Sequence, residues 1–83
     1  MTEIEALAIV RNALVASVPH RSAELAHTAQ EMSFDDLNLD SIAILETIGL
    51  VEDALGEIEF SEQQLGSVQS VKHLINLVME HQP

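Results

Sequence analysis

The sequence predicts a small all-α fold: a four-helix bundle of three main helices and one short one, with a long first loop, spanning residues 1–83 as a single domain. Three observations point there. Eighty-three residues suffice for one thin core and no more. Apolar residues make up 47% of the chain but aromatics only 2%, so the core is built from Leu, Ile, Val and Ala, where a sheet protein would usually carry more aromatic residues and Thr. Apolar residues also recur at helical spacing in three stretches bounded by caps and breakers. With no cysteine present, neither a disulfide nor a cysteine metal site assists, and packing alone must hold the fold.

The first helix is expected from Thr2 to Val18. Thr2 and Glu5 form a capping-box pattern, Ile4, Leu7, Val10, Leu14 and Val18 recur at core spacing, and Pro19 ends the run. His20 to Ser33 lacks a strong period and reads as a long, partly ordered connection, in which Ala23 to Gln30 could add a turn or two of helix. Phe34, Leu37 and Leu39, set among acids and Asn38, describe a loop pinned to the core.

Asp40 is a good N-cap for a second helix running to about Leu55, with Gly56 where a left-handed C-cap is expected. Ile44, Ile48, Val51 and Leu55, flanked by Thr47 and Ala54, form its core stripe. On the opposite side Ile42, Glu46, Gly49, Leu50 and Asp53 make a face both acidic and aliphatic, the composition of a docking surface. Ser61 and Gln64 open a very short helix that Gly66 closes. The last helix is expected from near Ser67 toward His81, with Val68, Val71, Leu74, Ile75 and Val78 inward.

Charge bounds the function. Fourteen acids against three bases give a net charge of −11, which excludes ordinary binding to a nucleic-acid backbone and calls for basic partners. Arg11, Arg21 and Lys72 all lie outside the stretch from Glu31 to Gly66, which holds ten acids and no Lys or Arg. Such a run by itself is often no more than a solvated face. No basic segment followed by an apolar run opens the chain, and no apolar stretch is long enough to cross a bilayer, so a cytoplasmic location without membrane contact is expected. The chain begins at Met1 and ends soon after the last helix, so a discrete protein is expected rather than a piece of a larger synthase.

Leu37-Asn38-Leu39-Asp40-Ser41-Ile42 resembles the Leu-Gly-x-Asp-Ser-Leu signature of acyl carrier proteins. The resemblance extends along the chain: an opening helix, a long loop with an upstream Phe, Asp-Ser at the start of an acidic second helix, a short third helix, and a closing helix introduced by Ser67-Val68. A lone Asp-Ser would say nothing, because a serine at a helix start is more often a cap.

The resemblance implies that Ser41 takes a 4′-phosphopantetheine arm from coenzyme A, through a phosphopantetheinyl transferase, and that Asp40 caps the helix and is recognised by that enzyme. It implies an arm ending in a thiol that shuttles acyl groups as thioesters, which suits a chain with no thiol of its own. It also implies partner contacts through Ile42, Glu46 and Asp53, with Glu52 and Glu57 extending the patch and Gly49 and Leu50 beside them on the docking face already read from the helical wheel. The partners would be an acyl-loading ligase or acyltransferase and ketosynthase or condensation enzymes with basic docking patches, and the carrier itself a monomer. A residue in the first turn of a helix is also a favourable place for a phosphate. Ile48, Val51, Leu74 and Ile75 are core positions that could also shelter an acyl chain.

Asn38 stands where the family usually has Gly, Ile42 where Leu is usual, and Gly49 where many members carry a large apolar residue. Asn tolerates left-handed backbone angles, so the turn before Asp40 survives, while Gly49 leaves a flat spot that suits a different set of clients. These departures favour polyketide or lipopeptide assembly over fatty-acid synthesis.

Other readings remain. A peptidyl carrier of nonribosomal peptide synthesis shares the fold, arm and serine, but the acid-rich second helix and the lack of Gly-Gly before the serine lean toward acyl cargo. An interaction module without the arm would keep the same surface. Calcium binding fits only half a loop: Asp36-x-Asn38-x-Asp40 begins an EF-hand, but Ser41 stands where Gly is needed and Thr47 where Glu is needed. No metal site is expected. His20, His27, His73 and His81 show no spacing for acid-base or nucleophilic chemistry, so no catalytic residue is assigned.

Overall fold

The computed structural model describes residues 2–56 and 58–81, and it is a helical bundle as the sequence predicts. Helix α1 (Glu3–Ser17) starts where the Thr2 hydroxyl accepts the Glu5 N–H and stops at Val18, one residue before Pro19. Pro19–Arg21 is a 3₁₀ turn that leads into the four-residue α2 (Ser22–Leu25). Helices α3 (Ser41–Ala54), α4 (Glu62–Gly66) and α5 (Val71–Glu80) complete the order. Helix α1 is central: it packs most extensively on α3, then on α5 and α2, while α3 and α5 approach each other far less.

The core is aliphatic. Val10, Leu14, Leu25, Val51, Val71, Leu74 and Val78 are fully buried, with Phe34 and Phe60 as the two aromatic members. Small residues Ala6 and Ala13 on the buried face of α1 let neighbouring elements come close. Ile4, expected among the core positions, is instead 81% exposed. The buried stripe centres on Ala6, Val10 and Ala13, and Ile4 falls on the other side of a 3.6-residue wheel.

A pair of hydroxyls crosses the α1–α3 interface. Ser17 Oγ and Thr47 Oγ1 lie 2.8 Å apart, and whichever does not donate across can donate back to the carbonyl of Leu14 or Ala43. Thr47 is fully buried, and no buried side-chain polar atom among the described residues lacks a partner. A satisfied polar contact of this kind costs little in stability and fixes the register of the two helices.

The connection between α2 and α3 is ordered by hydrogen bonds more than by periodicity. Arg11 Nε donates to the Thr28 carbonyl at 2.7 Å, and the buried Thr28 hydroxyl donates to the Leu25 carbonyl. Farther on, Ser33 and Asp36 cap each other's backbone N–H. Ser33 forms an antiparallel bridge with Ser70, through Phe34 N–H to the Gln69 carbonyl and Val71 N–H to the Met32 carbonyl.

That bridge explains why α5 begins at Val71 and not near Ser67. The backbone of residues 69–71 is engaged with the loop, and the Ser70 hydroxyl supplies the cap by accepting the His73 N–H. Val68, expected inside the last helix, is half-buried in the segment before it, its N–H closing a turn onto the Leu65 carbonyl. Helix α4 has the full reciprocal capping box of Ser61 and Gln64.

Candidate attachment and docking site

The turn before α3 is held from below. Phe34 and Leu37 are buried, so the loop is pinned to the core on both sides of Asp35 and Asp36. Asn38 has φ 54°, the left-handed conformation expected where the resembled motif has Gly. Its carbonyl lies 3.5 Å from the Arg21 guanidinium, which also pairs with Glu24 at 2.7 Å. The hydrogen bond and charge of Glu24 raise the Arg21 pKa, and the same contact from Arg21 lowers that of Glu24.

Asp40 is the N-cap of α3, its Oδ1 accepting the Ala43 N–H at 2.8 Å. Ser41 is therefore relieved of the capping role. It is the first residue of the helix and is exposed, and its hydroxyl has no partner among the described residues. The hydroxyls of Ser17, Ser33, Ser61, Ser67 and Ser70 are each engaged with a neighbouring backbone group, and Ser22 is half-buried. Ser41 is thus the one exposed serine whose hydroxyl is uncommitted among the described residues. The N–H groups of Ser41 and Ile42 likewise have no acceptor among the described residues, as expected for the first turn of a helix.

Below Ser41, one flank of α3 is apolar and exposed. Ile42 is 69% and Leu45 62% exposed, and Leu50 is at the surface as well. Leu45 was absent from the sequence-based surface, although its position three residues after Ile42 places it on the same side. The opposite flank follows the expected core stripe at Ile48, Val51 and Thr47, with Ile44 and Leu55 half-buried and Ala54 exposed. Gly56 has φ 95° and ends the helix as expected.

Glu46, Gly49, Leu50, Glu52 and Asp53 line a surface groove of about 510 Å³, together with Ala16 and Ser17 of α1 and the segment Ile58–Glu59. The groove is one site assembled from three parts of the chain. Sequence periodicity could find only its α3 wall. Ser41 and Ile42 lie outside it, Ser41 roughly 12 Å up the helix axis from Gly49 at the standard rise per residue. Glu57 lies outside the described residues.

Glu52 differs from its acidic neighbours. One carboxylate oxygen accepts the Phe60 N–H at 2.7 Å, so this residue ties the loop after α3 to the helix. Glu46, Asp53 and Glu59 have no side-chain partner among the described residues. A second concavity, lined by Ser33, Phe34, Asp35, Ile44, Val68 and Gln69, lies between the pinned loop and α3. Ile48, Val51, Leu74 and Ile75, read as core positions that could also shelter a chain, are packed in the core, and neither concavity draws a wall from them.

Asp36 and Asp40 each cap their own turn, and no group of three or more His, Asp or Glu side chains among the described residues is placed to hold a metal ion. No helix among the described residues is long and apolar enough to cross a membrane. Comparison of the chain with family models, with curated proteins and with solved structures gives no match in any of the three.

Proposed function

We propose that this chain is a carrier that holds a 4′-phosphopantetheine arm on Ser41 and presents thioester-bound acyl groups to basic partner enzymes. The observation that carries the reading is the state of Ser41: exposed, first in a fourteen-residue helix, and with a hydroxyl that has no partner among the described residues because Asp40 does the capping. A serine present only for structure would be expected to bind the backbone, as Ser61 and Ser70 do. The arm, once attached, supplies the terminal thiol that a chain without cysteine lacks.

Attachment asks little of the chain beyond exposure and position. The Ser41 oxygen forms a bond to phosphorus while the pyrophosphate P–O bond of coenzyme A breaks. Adenosine 3′,5′-bisphosphate leaves, and the hydroxyl proton passes to the transferase. The positive end of α3 and the open N–H groups of Ser41 and Ile42 favour the resulting phosphodiester, while Asp40 opposes it through like charge. Asp40 therefore serves as cap and as a recognition point for the transferase.

The exposed aliphatic groups Ile42, Leu45 and Leu50, set among Glu46 and Asp53, support a docking role for α3. Opposite charge speeds encounter and a small apolar contact lets the partner leave, which is what serving several enzymes requires. Loading enzymes and condensing enzymes of polyketide or lipopeptide assembly are the partner class we favour.

The test is the intact mass of the protein after incubation with coenzyme A, magnesium and a broad-specificity phosphopantetheinyl transferase, beside Ser41→Ala. One added arm on the wild type and none on the variant is expected. No gain on a folded wild type, with the transferase active on a control substrate, would leave an interaction module without the arm.

A further inference from the structure

An arm on Ser41 brings a phosphodiester anion into an acidic setting. From Glu31 to Ser41 the chain holds four acids and no base, and Asp40 stands beside the attachment serine with its carboxylate committed to the cap. The first-turn N–H groups of α3 are one source of compensation. The fold brings a second.

Helices α1 and α3 run antiparallel: Ile9 and Asn12 share a concavity with Leu50 and Ala54, while Ser17 meets Thr47. Residues that follow Ser17 are therefore carried toward the start of α3, and Arg21 is among them. Its Nη1 lies 3.5 Å from the carbonyl of Asn38, in the turn that leads to Ser41. Of the other two bases, Arg11 donates to the Thr28 carbonyl and Lys72 stands in the first turn of α5, so Arg21 is the one that touches this turn among the described residues.

The guanidinium is held but not filled. Its Nε and Nη2 donate to the two oxygens of Glu24 at 3.1 and 2.7 Å, a bidentate pair that occupies one edge and fixes the plane. A guanidinium carries five N–H groups, so the other edge keeps donors with no acceptor among the described residues. The 3.5 Å contact to Asn38 is long and easily exchanged.

We infer that Arg21 is the chain's own counter-ion for the phosphodiester on Ser41, taking phosphate oxygens on the guanidinium edge that Glu24 leaves open. Arginine suits this task because its planar fork matches phosphate and its charge does not vary with pH. The arm is then fixed at its root by one covalent and one ionic link, while its thiol end stays mobile. The inference rests on the carrier reading.

The test is a thermodynamic cycle on the whole chain, with and without the unloaded arm, in wild type and Arg21→Gln, each unfolded in urea at low and high ionic strength. At low salt, attachment should disfavour folding by about two- to five-fold more in Arg21→Gln than in the wild type, the size of an exposed ion pair, and the difference should fade at high salt. Arg21→Lys should recover only part of it. A second measurement needs no unfolding: on attachment the side-chain Nε–H resonance of Arg21 should move, while that of Arg11, the only other arginine in the sequence, stays.

Equal effects of the arm on wild type and Arg21→Gln, or an Arg21 resonance indifferent to the arm, would overturn the inference and leave the carrier reading standing. A folded wild type whose Ser41 takes no arm overturns both, and intact mass tells the two failures apart.

Discussion

Helices α3 and α5 draw on the same aliphatic residues and place them differently. Helix α5 turns Val71, Leu74, Ile75, Leu77 and Val78 inward and leaves Lys72, His73, Asn76 and Glu80 to solvent. Helix α3 is the more apolar of the two along its length, yet only Thr47, Ile48 and Val51 are buried, while Ile42, Leu45 and Leu50 stand outside. Burial accounts for the composition of α5. It does not account for that of α3, where Ile42 and Leu45 in particular gain little within the chain. The difference separates a helix that gives its aliphatic residues to the core from one that gives them to the core on one flank and leaves them at the surface on the other, the flank that the proposed function assigns to partners.

Truncations give the widest separation between the two. Leu74→Ala should lower unfolding free energy by about 2–5 kcal/mol, a large share of the stability of so small a domain. Leu45→Ala should change it by no more than ~0.5 kcal/mol, since that side chain loses little on unfolding. Urea titrations of the two variants measure both, and comparable losses would break the contrast.

Glu52→Ala sharpens the division within α3 itself. Removing the acceptor of the Phe60 N–H should cost about 1–3 kcal/mol, as for a hydrogen bond to a charged group in a half-buried place. The double change Glu46→Lys with Asp53→Lys should leave stability within roughly 1 kcal/mol of the wild type, since neither carboxylate has a side-chain partner among the described residues. It should slow modification and acyl transfer by about ten-fold at low salt, with the deficit shrinking as salt rises. Transfer at the wild-type rate would remove the acidic face from docking.

The smallest effect belongs to Arg21 and Glu24, at the surface beside the Asn38 turn. The hydrogen bond from Arg21 holds the Glu24 carboxyl below its ordinary value of 4.5. Folded-state depression means that the stabilisation is present above that ordinary value and is lost as pH falls through the lower folded value. Glu24→Gln should therefore lower stability slightly at neutral pH and flatten the stability curve below pH 4.5, where the two proteins converge, an effect that salt should screen. A difference between variant and wild type that persists undiminished in acid would show that the pair acts through something other than charge.

Much of this was legible in the sequence because local chemistry and tertiary need agree. Asp40, Ser61 and Gly56 mark helix ends by capping chemistry, and the structure puts the ends there. Asn38 keeps the left-handed turn that the resembled motif builds with Gly. Ile4 misled because spacing alone does not fix which stripe of a helix faces inward; Ala6 and Ala13 decided that by admitting close neighbours. The start of α5 was obscured by a contact between residues far apart in the chain, Ser33 and Ser70, which no local pattern announces.

The site shows the same division. Ser41 and the α3 wall of the groove follow from one helix, whereas Ala16, Ser17, Ile58 and Glu59 join it only through folding. That the Ser41 hydroxyl is uncommitted among the described residues could be learned only from seeing which serines the backbone claims.

The central claim is that Ser41, and no other serine, is chemically available for the arm. Fragmentation mass spectrometry of the wild type after treatment with coenzyme A and an active transferase tests it most directly. The arm is expected on Ser41 alone, with Ser33, Ser61, Ser67 and Ser70 untouched. An unmodified Ser41 in a folded sample, or an arm found on another serine, would contradict it.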